Sequence, residues 1–198
     1  MDSFDTALKH PCTVVLSGAA RVGKTYTLFD ILRHSDQVFD THFERIIICY
    51  SAWQNIYDEY KKHRPDTIFV NSTEEAEDYL DGSVNTFYAI DDAMLTFERD
   101  SEANTYITDF FCRRSSHTKT TVAILIQNLF VKSMRACLLQ TCYLFLFNPI
   151  KDKTILQTLN KQFCPGKKGY VVEAMKIATE KNGHQYLLFD FTVDTPDK

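Results

Sequence analysis

Several features that mark other classes of protein are scarce in this sequence. The 198 residues include only six glycines and five prolines, which is too few for a disordered or repetitive chain. Lysine and arginine total 22 against 26 aspartate and glutamate residues, so the formal net charge is −4. A protein that grips nucleic acid over its whole surface is usually basic. Any contact with DNA is therefore expected through a local patch or a pore loop.

Long apolar runs and paired cysteines are missing as well. The longest apolar runs fall far short of the ~20 residues that a membrane span requires. The opening residues, MDSFDTALKH, show neither an apolar signal core nor an arginine-rich transit pattern. We therefore expect a soluble, intracellular protein with no membrane contact. None of the six cysteines forms a CxxC pair, so we expect free thiols and no zinc site.

What is present is typical of a compact globular chain. Hydrophobic residues make up 44% and charged residues 24% of the sequence. The length suits one α/β domain with a full core and is short for two. Because no repeat, low-complexity stretch or linker interrupts the chain, we predict a single domain over residues 1–198.

Short apolar runs alternate with longer amphipathic stretches along the whole chain. The runs are CTVVLS, RIIICY, TIFV, FYAID, TVAILIQ and CYLFLF. They are rich in β-branched and aromatic residues and lack polar alternation, as do strands that are buried on both faces. The stretches between them, among them TYTLFDILRH, WQNIYDEYKKH, STEEAEDYLDG and KDKTILQTLNKQF, have helical patterns. The stretch VVEAMKIATEKNGHQYLLFDF near the end of the sequence predicts a helix, an Asn-Gly turn and a last strand. This alternation favours a mostly parallel sheet covered by helices.

The strongest motif is GAARVGKT, which fits G-x-x-x-x-G-K-[ST] and lies between a predicted strand and a predicted helix. Such a loop wraps its backbone N–H groups around a phosphate at the positive end of a helix. We predict Lys24 to reach the β- and γ-phosphates of ATP and Thr25 to offer a hydroxyl to Mg²⁺. The predicted nucleotide-binding residues are Gly18, Ala19, Ala20, Arg21, Val22, Gly23, Lys24 and Thr25. The fold class that follows is a three-layer P-loop NTPase of the RecA or additional-strand type.

An acidic pair ends the predicted strand FYAIDD. Next to a P-loop, it indicates a Walker B element, in which Asp91 would hold Mg²⁺ and Asp92 would orient or deprotonate the attacking water. An acidic pair after a strand is also common in turns and helix caps.

Gln127 ends the run TVAILIQ. Parallel α/β sheets place their sites at the carboxyl ends of the strands, so Gln127 could position water or sense the γ-phosphate. The alternative is an ordinary glutamine that bonds a loop.

Arginines precede two of the predicted strands. Arg113 and Arg114 lie in RRSSHTK, just before the strand that ends in Gln127. That is the end of the sheet opposite the chain's own ATP, so either residue could serve a neighbour as an arginine finger. A solvated basic loop, or one that touches the DNA backbone, fits equally well. Arg135, before the next strand, is a second candidate.

Taken together, these motifs resemble the FtsK–HerA superfamily, and within it the packaging ATPases of poxviruses, other large DNA viruses and Polinton or adintovirus-type elements. CYSAWQNIYDEY is similar to the family's Y-x-x-x-Q-x-x-Y segment. HTKTTVAILIQNLF, with ten residues from His117 to Gln127, is similar to the family's strand segment that runs from a His to a Gln. HQYLLFDF is similar to its closing strand. The chain departs from the family at Ser116, where members often carry arginine, and at Gln140, where asparagine is usual.

The resemblance implies a homo-oligomeric ring that hydrolyses ATP with Mg²⁺ and drives double-stranded DNA into a capsid. A capsid or portal protein would be its partner. The protein would act inside the host cell, in a viral factory or the nucleus, or be carried in the virion. Two alternatives share the P-loop: a nucleoside or small-molecule kinase and a nucleotide-dependent assembly protein. The region after Gln127 shows no lid-like arginine cluster, and a scaffold has no need for Asp92.

Overall fold

The computed structural model describes residues 7–92, 101–149, 152–180 and 184–192. Its strands, in chain order, are β1 (Thr13–Ser17), β2 (Arg45–Cys49), β3 (Ile68–Val70), β4 (Thr86–Ile90), β5 (Thr120–Ile126), β6 (Tyr143–Phe147) and β7 (Tyr186–Asp190). Each of the six predicted apolar runs coincides with one of the first six strands, although β4 and β5 begin one residue before their runs. The described strands form one seven-stranded sheet in the order β3-β2-β4-β5-β1-β6-β7. All neighbouring pairs are parallel except β6 and β7.

Helices connect the strands. They are α1 (Lys24–Arg33), α2 (Ser35–Val38), α3 (Asn55–His63), α4 (Thr73–Glu77), α5 (Ser101–Asp109), α6 (Ser115–His117), α7 (Arg135–Leu139), α8 (Thr154–Phe163) and α9 (Tyr170–Thr179). A π-helical segment, Phe110–Arg114, joins α5 to α6, and a 3₁₀ turn, Lys132–Met134, precedes α7. In the part of the chain that the structure describes, no helix is long and apolar enough to cross a bilayer.

The sheet carries an apolar core on each face, because successive side chains of a strand point to opposite sides. Val14 and Leu16 of β1 pack in one core with residues of α1 and α3. Val15, between them, packs in the other core with residues of α4, α5, α7, α8 and α9. The result is the predicted three-layer α/β fold.

Strand β5 lies between β1 and β4 and pairs in parallel with both. It is therefore an additional strand between the one that leads into GAARVGKT and the one that leads into the acidic pair. The predicted additional-strand type of P-loop sheet is confirmed.

The bounds of two helices differ from those that the sequence predicts. Ser72, which opens the predicted helical stretch STEEAEDYLDG, caps α4 by accepting a hydrogen bond from the Glu75 amide, but the helix ends at Glu77, well before Gly82 closes that stretch. Helix α3 begins at Asn55, two residues into the predicted helical stretch WQNIYDEYKKH, so Trp53 lies outside the helix and is 44% exposed. All six cysteines are free, as expected. The predicted Asn-Gly turn at 182–183 lies outside the described residues.

A candidate nucleotide site at the carboxyl edge of the sheet

Three adjacent parallel strands end at the same edge of the sheet and deliver the predicted site residues there. The P-loop follows β1, Asp91 and Asp92 follow β4, and Gln127 follows β5. Since the order is β4-β5-β1, the three groups are neighbours although 109 sequence positions separate Gly18 from Gln127. This edge is where open parallel sheets place their ligand sites.

The loop itself needs glycine at two positions. The Gly18 amide continues the sheet by donating to the Ile126 carbonyl at 3.1 Å. A Cβ at Gly18 would come within 2.7 Å of the Phe147 Cβ, closer than real contacts allow. Gly23, at φ 108°, turns the chain into α1 through a left-handed conformation that disfavours any side chain. The first turn of α1 therefore lies at the end of the loop, and its N–H groups have no partners within the helix.

Lys24 lies folded into this loop. Its Nζ donates to the carbonyl oxygens of Gly18 at 2.7 Å and Ala19 at 3.0 Å. Burial lowers the pKa of Lys24, while the carboxylates of Asp91 and Asp92 act in the opposite direction. A lysine held by two carbonyls and facing two acids is a compact cation in the centre of the site.

Asp91 is the most buried acid of the site, at 6% exposure. Its Oδ2 accepts a hydrogen bond from Thr25 Oγ1 at 3.0 Å and another from the Tyr57 hydroxyl at 2.8 Å. Burial raises the pKa of Asp91, and the hydrogen bonds from Tyr57 and Thr25 oppose that shift. Burial and the neighbouring Asp91 carboxylate raise the pKa of the Tyr57 hydroxyl. Tyr57 therefore stays protonated and acts as a donor.

Asp92 and Gln127 meet beside this cluster. Gln127 Nε2 donates to Asp92 Oδ1 at 3.3 Å. Asp92 has φ 56°, in the left-handed region that few residues other than glycine adopt. Backbone strain of this kind is concentrated at functional sites. The turn therefore holds Asp92 in an unusual conformation, half-buried and within reach of Gln127.

The two adjacent arginines lie at the other end of the sheet, as their position before β5 predicts. Arg113 is 78% exposed and donates from Nε to Asp109 Oδ1 at 2.6 Å, one helical turn away. Arg114 is 35% exposed and pairs with Glu77 of α4. Its guanidinium carbon lies 5.2 Å from the Phe110 ring centroid and 5.7 Å from that of Tyr106. Arg114 is thus engaged inside the chain, whereas Arg113 projects from it.

Arg135 is exposed at the start of α7 and lines an apolar cavity of about 400 Å³ together with Phe130 and Phe163. The cavity lies between the segment after β5 and α8, apart from the P-loop. The structure brings Lys24, Thr25, Asp91, Asp92 and Gln127 together and leaves the three arginines outside that cluster. The roles assigned to all of them stay predictions.

Sequence reasoning missed three residues at this edge. The Tyr57 hydroxyl donates to Asp91. Gln54 Nε2 donates to the Tyr57 hydroxyl oxygen at 3.1 Å. His184 Nδ1 donates to the carbonyl of Val22 in the P-loop at 3.0 Å. The spacing in Y-x-x-x-Q-x-x-Y was a signal for Gln54 and Tyr57; for His184 we see none.

The solved structures described next share the fold of this chain at low sequence identity. The genome-packaging NTPase B204 from Sulfolobus turreted icosahedral virus 2, in complex with ATP-γ-S, has a TM-score of 0.64 at 15% identity. The alignment covers 93% of this chain and 95% of B204. EssC (ATPases 2 and 3) from Geobacillus thermodenitrificans has a TM-score of 0.56 at 10% identity, with 74% of this chain covered.

The type VII secretion ATPase EccC from Thermomonospora curvata has a TM-score of 0.60 at 10% identity over 91% of this chain. The chain spans only 34% of the EssC chain and 24% of the EccC chain. No protein-family model and no curated protein matches the sequence. At these identities the likeness shows the fold, and the neighbours are a viral packaging NTPase and ATPase domains, the kind of relative that the sequence resemblance implied.

Proposed function

We propose that this chain is an ATP-hydrolysing motor that moves double-stranded DNA into a viral capsid. The observation that carries the proposal is the contact between Thr25 and buried Asp91, with Lys24 in the adjoining loop. Thr25 and Asp91 are 66 positions apart in the sequence, yet they meet at hydrogen-bond distance at the edge where ligands of parallel sheets bind.

The residues at this edge fit a nucleotide and its magnesium ion. The loop turns into α1 through Gly23, so the N–H groups of the first helical turn lie at its end, where phosphate oxygens can accept hydrogen bonds from them. Thr25 and Asp91 supply the hard oxygen atoms that Mg²⁺ prefers, and they would hold it. When bound, Mg²⁺ neutralises charge on the β- and γ-phosphates.

Asp92, the less buried acid of the pair, would take part in proton transfer. In this proposal Asp92 orients, or accepts a proton from, a water that attacks the γ-phosphate, and Gln127 holds that water or senses the phosphate. The hydrogen bond between Gln127 Nε2 and Asp92 Oδ1 supports these two roles. Lys24, which here bonds two loop carbonyls, would exchange them for phosphate oxygens. Catalysis would rest on positioning and on stabilisation of charge.

A motor is favoured over other uses of this fold by the extent of the likeness to B204. A protein named as a genome-packaging NTPase aligns over 95% of its length, without a large region left over on either side. We propose that residues 1–198 act as one domain in a homo-oligomeric ring, with an arginine of one subunit completing the site of the next. A capsid or portal protein would be the docking partner, inside the host cell or in the virion.

The test is the rate of ATP hydrolysis with and without double-stranded DNA, measured beside the size of the assembly by light scattering. A motor should turn over ATP, form a ring-sized oligomer and be stimulated by DNA. Phosphate transfer to a nucleoside would indicate the kinase alternative. ATP-dependent assembly without turnover would indicate the scaffold. Absence of Mg-ATP binding under every assembly condition would end all three readings.

A further inference from the structure

A chain of hydrogen bonds leads from the surface to the buried acid Asp91. Gln54 Nε2 donates to the Tyr57 hydroxyl oxygen at 3.1 Å, and that hydroxyl donates to Asp91 Oδ2 at 2.8 Å. The Asp92 amide also bonds the Asp91 carboxylate, and Thr25 completes its partners. Because the Gln54 amide occupies a lone pair of the phenol oxygen, the phenol proton is left for Asp91.

The Tyr57 ring is held rigidly enough to aim that hydroxyl. It is 1% exposed and lies in the first turn of α3. Four aromatic rings surround it, with centroids 5.4–5.7 Å away: Phe29, Tyr50, Trp53 and Phe69. A side chain with two rotatable bonds, packed on several sides, can fix the orientation of the carboxylate that it touches.

We propose that Tyr57 is a positioning residue that orients the Asp91 carboxylate for Mg²⁺, and that Gln54 in turn orients the Tyr57 hydroxyl. The proposal rests on the proposed function, since it assumes that Asp91 serves a nucleotide-bound metal. Its physical basis is that a carboxylate is a good metal ligand only in the correct rotation, and outer hydrogen bonds set that rotation. Since Thr25 is itself offered to the metal, the outer hydrogen bonds that orient Asp91 come from the Tyr57 hydroxyl and the Asp92 amide.

The decisive variant is Tyr57→Phe, which removes one oxygen atom and keeps the ring. Binding of a non-hydrolysable ATP analogue is titrated against Mg²⁺ by calorimetry. The Mg²⁺ concentration for half-maximal enhancement of binding should rise about 10- to 100-fold. Binding without Mg²⁺ should not change, because the loop and Lys24 are untouched.

A matched control lies one turn along the same helix. Tyr60 is fully buried and packs on Phe29 as Tyr57 does, but its hydroxyl lies beside Thr67, away from Asp91. Tyr60→Phe should leave the Mg²⁺ titration as in the unmodified protein. Thermal unfolding without nucleotide is measured on both variants, so that a loss of fold is distinguished from a loss of metal affinity.

A second variant keeps the test informative if Tyr57→Phe does not fold. Gln54 is exposed, so Gln54→Leu should fold normally and should raise the Mg²⁺ requirement in the same direction by a smaller factor. If Tyr57→Phe folds and requires the same Mg²⁺ concentration as the unmodified protein, the inference is wrong. If Tyr57→Phe does not fold, the same result for Gln54→Leu shows that the inference is wrong. If the unmodified protein binds nucleotide without any response to Mg²⁺, the proposed function fails first.

Discussion

The two ends of the sheet hold their charged groups in different ways. At the carboxyl edge, Thr25 and Tyr57 reach Asp91 from 66 and 34 positions away in sequence, and both donate to its Oδ2 atom. At the opposite end, Arg113 bonds Asp109 within its own helical segment, and Arg114 pairs with Glu77. The first arrangement is a convergent, buried cluster; the second is a set of surface pairs.

The difference indicates which charged side chains stabilise the fold and which could instead contact a partner subunit. Exposed ion pairs one helical turn apart stabilise a protein by only about 0.3–0.5 kcal/mol, so Arg113 can leave Asp109 at little cost. Arg114 adds ring contacts to its ion pair and is more tightly held. Between two adjacent arginines, the exposed one is the better candidate for a neighbour's site.

The largest expected effect is at the carboxyl edge. Lys24→Ala removes the cation that faces Asp91 and Asp92 and should reduce ATP turnover to background, a loss of about 10³-fold or more. Phosphate release, measured at saturating ATP, checks this. Lys161→Ala, an exposed lysine on α8, serves as the control and should keep full activity. Substantial turnover by Lys24→Ala would separate the loop from the chemistry.

The next effect concerns the opposite end. Arg113→Ala should leave nucleotide binding intact and lower turnover of the assembled protein by about 10³-fold, the usual contribution of an arginine finger. Mixing Arg113→Ala subunits with Lys24→Ala subunits should restore part of the activity, because some interfaces then combine an intact loop with an intact arginine. Failure of the mixture to recover would exclude Arg113 as a residue acting in trans.

Arg114→Ala is the matched comparison for Arg113. Loss of the Glu77 pair and of the stacking on Phe110 should lower the free energy of unfolding by about 1 kcal/mol. Its ATP turnover at a temperature where it is folded should change much less than that of Arg113→Ala. Arg135→Ala in the same mixing assay would identify the finger if neither neighbour does.

A smaller effect is expected within the acidic pair. Asp92→Asn keeps the size of the side chain and its contact with Gln127, so Mg-ATP should bind as before. Hydrolysis should slow by about 10²-fold, the lower range for loss of a general base. A single-turnover assay separates binding from chemistry here. Normal hydrolysis by this variant would remove Asp92 from the role of base.

Much of the fold was predictable because its signals are local. Runs such as CYLFLF contain strands buried on both faces, and the loop from Gly18 to Thr25 carries a motif whose spacing reflects phosphate geometry. The carboxyl-edge position of Asp91 and Gln127 followed from the parallel pairing. These inferences needed no knowledge of which side chains touch.

The rest depended on contacts between residues far apart in sequence. The segment Y-x-x-x-Q-x-x-Y draws attention to Tyr57, but only the packed structure shows that its hydroxyl reaches Asp91. The pairing of Arg114 with Glu77 spans 37 positions and could not be read from either segment. His184 reaches the loop only because β7 runs antiparallel to β6.

The smallest effect compares one carboxylate from each end by its response to pH. Burial raises the pKa of Asp91 despite the bonds from Tyr57 and Thr25. An acid whose pKa is higher in the folded than in the unfolded chain reduces stability as pH rises through the interval between the two values. Asp91→Asn should therefore raise the melting temperature of the nucleotide-free protein by a few degrees at pH 7. The gain should shrink toward an unfolded-state pKa of about 3.9.

Glu77 should respond with the opposite sign. Burial acts to raise the pKa of Glu77, but the hydrogen bonds from Arg114 and Tyr106 and the charge of Arg114 outweigh it and lower the value. The ionised form therefore stabilises the fold above the unfolded pKa, and that contribution is lost as pH falls through the folded pKa. Glu77→Gln should lower the melting temperature at pH 7 and match the unmodified protein in acid. The melting temperatures of Asp91→Asn and Glu77→Gln should therefore change with opposite sign at pH 7, because the buried charge of Asp91 destabilises the fold and the ion pair of Glu77 stabilises it. The same pH response in both variants would mean that the two ends of the sheet do not differ in how they stabilise charge.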